Sequence, residues 1–370
     1  MARSTRRLRA RLRRATSAAF LAAIGSAFIA TLPNVGGVLD RANISLLHDA
    51  AARRDLTKSL VTTPVTETLA RWQREAGWLA LRDLGPEVKR GEANWLFLDE
   101  ELQVHPQGNA YANARADAVR QVARGLAERH IALMVVVVPD KSRIEAAHLA
   151  SLRRPGELAT RARDWTARLE AGGVPALDLT TALSVPAGGS SPFLRTDTHW
   201  SEHGSMLAAQ AVARRLKDMH ALEGDPVPSV LVSRQPHPSW GDLVRLAGID
   251  GLPPALKPAP DTDTQSVVET RSDSTDLFGS AALPSTVLLG TSFSRRSNFR
   301  PFLQLESQSL VADFAMDGGD FAGAARSYFT GESFAKNPPR TIVWEVPERA
   351  LTQPIGDAEK AWLRAPLPGR

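Results

Sequence analysis

The sequence of 370 residues contains no cysteine, so the chain can form no disulfide. That absence agrees with an exported bacterial protein that needs no disulfide, but it does not define a compartment. The sequence also lacks internal repeats, and its hydrophobic fraction of 43% is typical of a globular protein rather than a disordered chain. A chain of this length has room for one large domain or two ordinary ones.

Acidic residues are absent from the first 14 positions, which carry seven arginines. Beyond this tail lie 38 of the 45 basic residues and all 40 acidic residues, so the rest of the chain has a net charge of −2. The excess positive charge therefore belongs to the tail. We expect no nucleic-acid-binding face on the body of the protein.

An apolar run without charge, Ala15 to Leu32, follows the basic tail and ends before Pro33. A positive flank followed by such a run predicts an export or anchoring signal with the arginines in the cytoplasm. The run is just long enough to span a bilayer, for which about 20 residues are typical. We expect residues 15–33 to be an uncleaved anchor that holds the rest of the chain on the periplasmic side of a bacterial inner membrane. A cleaved signal, leaving a soluble periplasmic protein, and a core helix are the alternatives.

Beyond the anchor, residues 34–85 are compatible with a helical stalk or first helices, and the body then alternates between strand and helix patterns. The continuous apolar run Ile131 to Val138 is typical of a strand buried on both faces. The other predicted strands are Trp95–Leu98, Val174–Leu179, Thr286–Leu289, Ser309–Phe314 and Thr341–Val346. The predicted helices are Ala110–Arg129, Gly156–Glu170, Ser201–Lys217, one from about Ser297, and Phe321–Phe329.

Strands separated by helices predict an α/β fold, with a doubly wound, mainly parallel sheet covered by helices on both faces. Residues 86–350 would form this domain, and residues 351–370 a C-terminal tail. Residues 222–284 break the pattern because they are rich in Pro, Asp, Ser and Thr, and we expect a long insertion or lid there.

The segment Thr196-Asp197-Thr198-His199-Trp200 places an acid and a base two residues apart. In an extended segment such residues point to the same side, so the carboxylate of Asp197 could contact one imidazole nitrogen of His199 and leave the other free. The alternative is a loop before a helix in which Asp197 and His199 only satisfy backbone groups.

Ser292 follows Gly290 and Thr291 just beyond a predicted buried strand, at the sheet edge where α/β proteins place their sites. Gly290 would allow a tight turn and the close approach of a substrate. Amide groups that open the next helix could bind an oxyanion. The alternative is that Thr291, Ser292 or Ser294 only caps that helix.

A competing motif overlaps the first one. His199-Trp200-Ser201-Glu202-His203 matches the H-x-x-E-H zinc signature of a class of peptidases. That chemistry needs both histidines on one helical face. Ser201 has the character of a helix cap, which would place His199 before the helix, so we expect no metal and no cofactor.

Five segments together resemble the periplasmic alginate O-acetyltransferases of the AlgJ and AlgX type, which carry an SGNH-hydrolase-like domain. The segments are Asn94–Leu98, Val137–Lys141, Asp197–Trp200, Gly290–Ser294 and Trp344–Arg349. The resemblance implies that Ser292 is the nucleophile, His199 the base and Asp197 the acid that orients it. In this family the acid and the base precede the serine, the reverse of ordinary SGNH hydrolases, and this chain has the same order.

The resemblance further implies an acetyltransferase of exopolysaccharide biosynthesis, which acts on an alginate-like or other exported polysaccharide. It implies a membrane-bound O-acyltransferase partner that supplies acetyl groups. Asn94 stands where the family often has glycine, and the insertion has no counterpart that we can place. We see no carbohydrate-binding module after residue 350, which favours the anchored AlgJ-like arrangement. Lys141, Trp200 and Arg349 are candidate substrate contacts, with internal ion pairs as the alternative for Lys141 and Arg349.

Two other functions are compatible with the same residues. A polysaccharide acetyl esterase would need the same three side chains, with water as the acceptor. A non-catalytic subunit of an exopolysaccharide assembly complex would retain them without using them.

Overall fold

The computed structural model describes residues 64–184, 189–222, 226–270 and 284–367. The chain divides into two compact units, Met1–Asp83 and Leu84–Arg370. In the first unit a helix of 18 residues, Pro64–Leu81, lies within the segment predicted as a stalk. The predicted tail 1–14 and anchor 15–33 lie outside the described residues. Among the helices that are described, none has the length and apolar character needed to cross a membrane.

Nine strands are found in the described residues, all in the second unit. They are β1 (Val88–Arg90), β2 (Leu96–Leu98), β3 (Ala132–Val138), β4 (Ala176–Asp178), β5 (Ser229–Ser239), β6 (Asp261–Thr270), β7 (Thr286–Leu289), β8 (Val311–Asp313) and β9 (Thr341–Pro347).

Twelve α-helices are described. They are α1 (Pro64–Leu81), α2 (Gly108–Ala127), α3 (Lys141–Ile144), α4 (Arg161–Ala171), α5 (Thr180–Leu183), α6 (Glu202–Asp218), α7 (Asp242–Leu246), α8 (Ser292–Arg295), α9 (Phe299–Ser307), α10 (Gly323–Phe329), α11 (Glu332–Lys336) and α12 (Asp357–Leu363).

The central sheet has five strands in the order β4-β3-β9-β7-β8, and every neighbouring pair is parallel. The sheet is therefore wholly parallel where the sequence predicted a mainly parallel one. Because the strands run the same way, their carboxyl ends share one edge, where α/β folds place their sites. The loops after β3, β7 and β9 all leave from that edge.

Alternating side chains of the buried strands enter two separate cores. Along β3, Leu133, Val135 and Val137 pack with helices α2, α4 and α10 on one face. Met134, Val136 and Val138 pack with helices α6 and α9 on the other face. Such two-sided burial is why β3 reads as a continuous apolar run rather than as an alternating pattern.

The predicted insertion is an antiparallel ribbon of β5 and β6, with α7 between the two strands. Its polar composition reflects exposure of most of the β5 side chains rather than an absence of regular structure. Residues 223–225 and 271–283 of the predicted segment lie outside the described residues. Whether the ribbon acts as a lid stays a prediction.

Several predicted elements differ from those observed, with physical causes. The strand at Leu96–Leu98 pairs with β1 in a small antiparallel sheet, not with the central sheet. The helix predicted from Gly156 is a short 3-10 turn, Gly156–Leu158, followed by α4. Guanidinium groups of Arg143 and Arg154 bond to the carbonyls of Leu158 and Ala159, which a continuous helix would use for its own amides.

The helix predicted from about Ser297 is α9, which begins at Phe299, and the short helix α8 precedes it. Ser297 and Asn298, which separate them, have φ values of 50° and 58°. Left-handed backbone at two successive positions is incompatible with a continuous right-handed helix. The chain therefore turns sharply five residues after Ser292.

Candidate active site

Ser292 lies at the carboxyl edge of the sheet, three residues beyond the end of β7. Gly290 packs so closely here that a Cβ atom would lie 2.5 Å from a carboxylate oxygen of Glu345, so glycine is required. The Thr291 hydroxyl accepts a hydrogen bond from the Phe293 amide at 3.3 Å and so caps helix α8. The predicted capping role therefore falls to Thr291. Ser292 is left half-buried and directed elsewhere.

The side chains of Asp197, His199 and Ser292 form a hydrogen-bonded series. His199 Nε2 is 2.7 Å from Ser292 Oγ, and His199 Nδ1 is 2.6 Å from Asp197 Oδ1. His199 is only 6% exposed, and its ring meets the edge of Phe293 at 5.0 Å. The structure thus brings together the acid, the base and the hydroxyl that the sequence singled out, although 93 positions separate His199 from Ser292.

Asp197 also satisfies the backbone, as the alternative interpretation expected. Its Oδ1 accepts the His199 amide at 2.9 Å, and its Oδ2 accepts the amide of Asp242 at 2.9 Å. Burial opposes ionisation of this carboxyl, but the hydrogen bond and charge of His199, together with the two amides, outweigh it. They hold the pKa of Asp197 well below its ordinary value, so Asp197 is a carboxylate at neutral pH.

The inserted ribbon is attached to the loop that carries Asp197 and His199. Asp261, at the start of β6, accepts the amides of Arg195 and Thr196 at 2.9 and 2.8 Å, and the Thr196 hydroxyl at 2.5 Å. Asp242, at the start of α7, accepts the amide of Thr198 at 2.8 Å and its hydroxyl at 2.6 Å. Sequence reasoning missed both carboxylates.

Lys141 lies under the same loop and is fully buried. Its ammonium donates to the carbonyls of Leu96, Arg195 and Asp197 at 2.6, 2.9 and 2.8 Å. Burial lowers the pKa of Lys141 to about 8, although nearby carboxylates, led by Glu101, oppose that shift. The prediction of a substrate contact by Lys141 is therefore wrong, because all three ammonium hydrogens have protein acceptors and the side chain has no exposed surface. Nor does Lys141 form an ion pair in the described structure.

The predicted substrate contact by Trp200 is also wrong. The indole is 0% exposed and packs against Phe293 and Phe299 at centroid distances of 5.2 and 4.9 Å, within the core behind His199. Arg349 is different, because its side chain is 17% exposed. Its guanidinium lies 5.8 Å from the Phe293 ring and pairs with Glu100 at 3.5 Å. Arg349 thus lies beside the residue after Ser292, and its contact with substrate stays a prediction.

The H-x-x-E-H motif does not form a ligand set. Ser201 caps helix α6 by accepting the Gly204 amide at 3.2 Å, so His199 precedes the helix as expected. The Glu202 carboxylate instead accepts hydrogen bonds from Thr264, Ser266 and Asn298. His203 is exposed. These three side chains point to different neighbours.

Asp197, His199 and Asp242 form a group of possible metal ligands, with donor atoms within 4.8 Å of one another. Two of those atoms, Asp197 Oδ1 and His199 Nδ1, are 2.6 Å apart. Ligands of a tetrahedral zinc with bond lengths of about 2.0–2.1 Å lie about 3.3 Å from each other. The shorter distance fits a shared hydrogen rather than a shared metal ion.

The turn at Ser292 offers one amide to a substrate. The amides of Thr291, Phe293 and Ser294 donate to the Glu345 carboxylate, the Thr291 hydroxyl and the Thr291 carbonyl. Within the described part of the chain, the Ser292 amide has no protein acceptor. It is therefore the candidate donor to an oxyanion formed at Ser292.

A cleft of about 460 Å³ lies over His199, between the inserted ribbon and the turn after α8. Trp240 lines the ribbon side with 37% of its surface exposed. Its indole nitrogen donates to the Pro258 carbonyl at 2.8 Å, and the Lys257 ammonium lies 4.1 Å from the ring centre. Arg295 and Arg296 line the other side, and both are exposed.

A parallel α/β sheet with serine, histidine and aspartate in hydrogen-bonded series is an arrangement found in serine-dependent hydrolases and acyltransferases. A family model described as "SGNH hydrolase-like domain, acetyltransferase AlgX" matches residues 88–348. The chain belongs to this family, which confirms the resemblance drawn from its motifs. The matched range begins close to residue 86, where we expected the domain to start.

Similar proteins agree with this assignment. A Pseudomonas fluorescens protein named "Probable alginate O-acetylase AlgJ" is 33% identical over 290 residues, which cover 75% of this chain and 72% of that protein. The solved O-acetyltransferase domain of Pseudomonas putida AlgJ is 28% identical, with a TM-score of 0.66, over 76% of this chain and 98% of the domain. Pseudomonas aeruginosa AlgX, 24% identical with a TM-score of 0.57, supports the fold; the match covers 75% of this chain and 65% of AlgX.

Proposed function

We propose that this protein is an O-acetyltransferase that moves acetyl groups onto hydroxyls of an exported polysaccharide through an acetyl-serine intermediate on Ser292. The observation that carries the proposal is the continuous series from Asp197 through His199 to Ser292 at the carboxyl edge of the sheet. Similarity to proteins named alginate O-acetylases supports acetyl rather than another acyl group.

In the first half-reaction His199 Nε2 takes the proton of Ser292 as Oγ bonds to the acetyl carbonyl carbon of a donor ester or thioester. The carbonyl π electrons move onto oxygen, and the Ser292 amide donates to that oxyanion. The oxyanion then collapses, the bond to the donor's leaving group breaks, and the leaving group takes the proton from His199. Asp197 holds the imidazole and stabilises the positive charge that His199 carries between these two events.

The second half-reaction runs the same steps toward the sugar. A sugar hydroxyl in the cleft gives its proton to His199 and attacks the acetyl-serine carbonyl carbon. The bond to Ser292 Oγ then breaks, and Ser292 regains a proton from His199. The enzyme returns to its starting state with the acetyl group on the sugar as an ester.

The cleft has features that suit a sugar acceptor. The exposed part of the Trp240 ring can stack against a pyranose ring, because indole presents a large, rigid apolar surface. Its polar nitrogen already donates to the Pro258 carbonyl. Arg295 and Arg296 bring positive charge to the opposite wall, where an acidic sugar would be favoured. An acidic polysaccharide agrees with the names of the similar proteins, which refer to alginate.

The cellular setting is part of the same proposal. An N-terminal anchor at residues 15–33 would keep the domain in the periplasm at the inner membrane. A membrane-bound O-acyltransferase would then supply acetyl groups from the cytoplasmic side. These assignments follow from the basic tail and apolar run of the sequence and from the family resemblance.

An acetyl esterase is the second candidate, because Ser292 is half-buried rather than sealed and water can reach it. The two functions differ only in the acceptor of the second half-reaction. The test is to incubate the full-length protein with a chromogenic acetyl ester, with and without acidic oligosaccharides, and to analyse protein and sugar by mass spectrometry. We expect acetyl on Ser292 when no sugar is present, and acetyl on the oligosaccharide when it is.

Three variants make the outcome decisive. Ser292→Ala and His199→Ala should each abolish transfer, with losses of similar order because the residues act as a unit. Ser294→Ala removes a neighbouring hydroxyl that bonds to Glu345, and its acetyl label should remain on Ser292. Free acetate as the sole product in the presence of sugar would favour the esterase. Full acetylation of polymer in cells that carry only the Ser292→Ala variant would favour a non-catalytic assembly subunit.

A further inference from the structure

A second carboxylate faces the imidazole from the inserted ribbon. Asp242 Oδ2 lies 3.5 Å from His199 Nδ1, the nitrogen that bonds to Asp197. Asp242 is 44 positions from Thr198 in sequence, to which it also bonds. Two carboxylates from separate segments therefore meet the same side of His199.

The position of Asp242 is fixed by backbone contacts. Its amide donates to Asp197 Oδ2 at 2.9 Å, and the preceding amide, of Gly241, donates to the Thr196 hydroxyl at 2.9 Å. Gly241 lies so close to Asp197 that a Cβ atom would overlap the Asp197 backbone and Cβ. The ribbon thus reaches His199 only because glycine stands beside Asp242.

Asp242 also controls a nearby hydroxyl. The Thr198 hydroxyl is 2.6 Å from Asp242 Oδ2 and 3.1 Å from His199 Nδ1. A carboxylate only accepts hydrogen bonds, so the Thr198 hydrogen points to Asp242 and not to the imidazole. His199 Nδ1 therefore keeps its own hydrogen for Asp197, and the lone pair of Nε2 faces Ser292.

We propose that Asp242 is a positioning residue of the acetyl-transfer reaction, which fixes the tautomer of His199 through Thr198 and adds a second negative charge to stabilise protonated His199. This inference rests on the proposed function, because it concerns the proton that His199 takes from Ser292. Through Asp242 the inserted ribbon would act on the catalytic base directly, whereas a lid would only cover the cleft.

The charge of Asp242 is costly in this position, which argues that it has a use. Burial and the neighbouring Asp197 carboxylate raise the pKa of Asp242, whereas His199 and the two donors of Thr198 oppose that shift. Other charged or titratable groups also surround His199. Across the cleft are Glu202, His237, Asp263, Arg295 and Arg296, and behind Asp197 is Lys141. Of the acidic groups, Asp197 and Asp242 pair with the imidazole.

The test compares pH profiles of acetyl-ester turnover by the full-length protein between about pH 5 and about pH 9, the range in which an imidazole titrates. Asp242→Asn removes the charge at nearly constant shape. Thr198→Val removes the hydroxyl but keeps the charge, and Asp250→Asn makes the same change as Asp242→Asn at an exposed position of the ribbon. Ser292→Ala defines the turnover that depends on the nucleophile.

We expect the acidic limb of the Asp242→Asn profile to move to lower pH by about one unit, with a plateau about tenfold lower. The sign follows because the positive charge that His199 carries during turnover loses a neighbouring negative charge in this variant. Asp250→Asn and Thr198→Val should keep the wild-type limb. An Asp242→Asn limb that superimposes on the wild-type one, or an equal shift in Thr198→Val, would overturn the inference. Turnover retained by Ser292→Ala would instead overturn the proposed function on which it rests.

Discussion

The carboxylate of Glu345 supports the turn that carries Ser292, and its removal gives a sharp prediction. Glu345 lies on β9, is fully buried, and accepts three donors from the Ser292 turn. These donors are the Thr291 amide at 2.7 Å, the Thr291 hydroxyl at 3.0 Å and the Ser294 hydroxyl at 2.9 Å. Glu345→Ala leaves all three without an acceptor, whereas Glu345→Gln keeps an amide oxygen in nearly the same place.

The magnitude follows from these contacts. A buried donor without a partner costs about 1–3 kcal/mol, and water that enters the space left by Glu345→Ala would recover part of that cost. We expect Glu345→Ala to lower the free energy of unfolding by about 3–5 kcal/mol, and Glu345→Gln by at most about 1 kcal/mol. For a domain of this size, a difference of about 3 kcal/mol corresponds to roughly 6–12 °C in Tm.

The two variants should also differ from the wild type in their pH dependence. Burial raises the pKa of Glu345 above its ordinary value of 4.5, although the donors of Thr291 and Ser294 oppose that shift. Ionisation of Glu345 therefore costs more in the folded than in the unfolded state. The cost is absent below pH 4.5, where the carboxyl is protonated in both states, and grows as pH rises through the folded pKa. The Glu345→Gln variant carries no such cost, so its stability relative to wild type should increase with pH.

Urea unfolding of the three proteins at several pH values tests both statements, with equal m-values as the check that the same transition is compared. Ester turnover provides a second readout, which Glu345→Gln should largely retain and Glu345→Ala should lose. Equal stabilities of the two variants would refute the reasoning, because they would mean that the three hydrogen bonds do not depend on this side chain. If the stability of Glu345→Gln relative to wild type fell as pH rose, the predicted direction of the pH dependence would be wrong.

Two further predictions concern other parts of the site. Trp240→Ala should raise the KM for an oligosaccharide acceptor about tenfold or more, while acetylation of Ser292 proceeds at the wild-type rate. Separate kinetics of the two half-reactions measure both quantities. An equal loss of rate in both half-reactions would contradict a role of Trp240 in binding the sugar. Lys141→Met leaves three carbonyls without their donor and should destabilise the protein at neutral pH. The pKa of Lys141 in the folded protein, about 8, lies below its ordinary value of 10.5. As pH rises from about 8 to about 10.5, the wild type should therefore gain stability relative to Lys141→Met, and unfolding midpoints measure this gain.

Much of the fold could be predicted because strands buried on both faces have a distinctive composition. The apolar runs that became β3, β7 and β9 were located to within one or two residues. Errors arose where distant side chains decide the local structure. The break before α4 depends on Arg143, whose guanidinium donates to the carbonyls of Leu158 and Ala159 ahead of that helix from 15 and 16 positions away, and a local pattern carries no record of such contacts.

The three residues at the centre of the site were predictable from spacing and from their place after predicted strands. Asp242 and Glu345 were not, because each acts on residues 40 or more positions away. In the sequence Asp242 stands within the segment predicted as an insertion or lid, and Glu345 appears as one charge within an apolar strand. That isolated charge was the available signal, since a carboxylate in a fully buried strand needs donors from elsewhere.

The backbone-satisfying and the chemical roles of the site residues do not compete, because the structure fulfils both with the same atoms. Asp197 Oδ1 accepts the His199 amide and the His199 imidazole nitrogen together, at 2.9 and 2.6 Å. Thr291 caps helix α8 and is itself held by Glu345, which leaves Ser292 free to face His199. A base and a nucleophile are useful only if they are held in one geometry before the substrate arrives. Backbone-satisfying bonds around such residues are therefore expected where there is catalysis, and finding them is no argument against it.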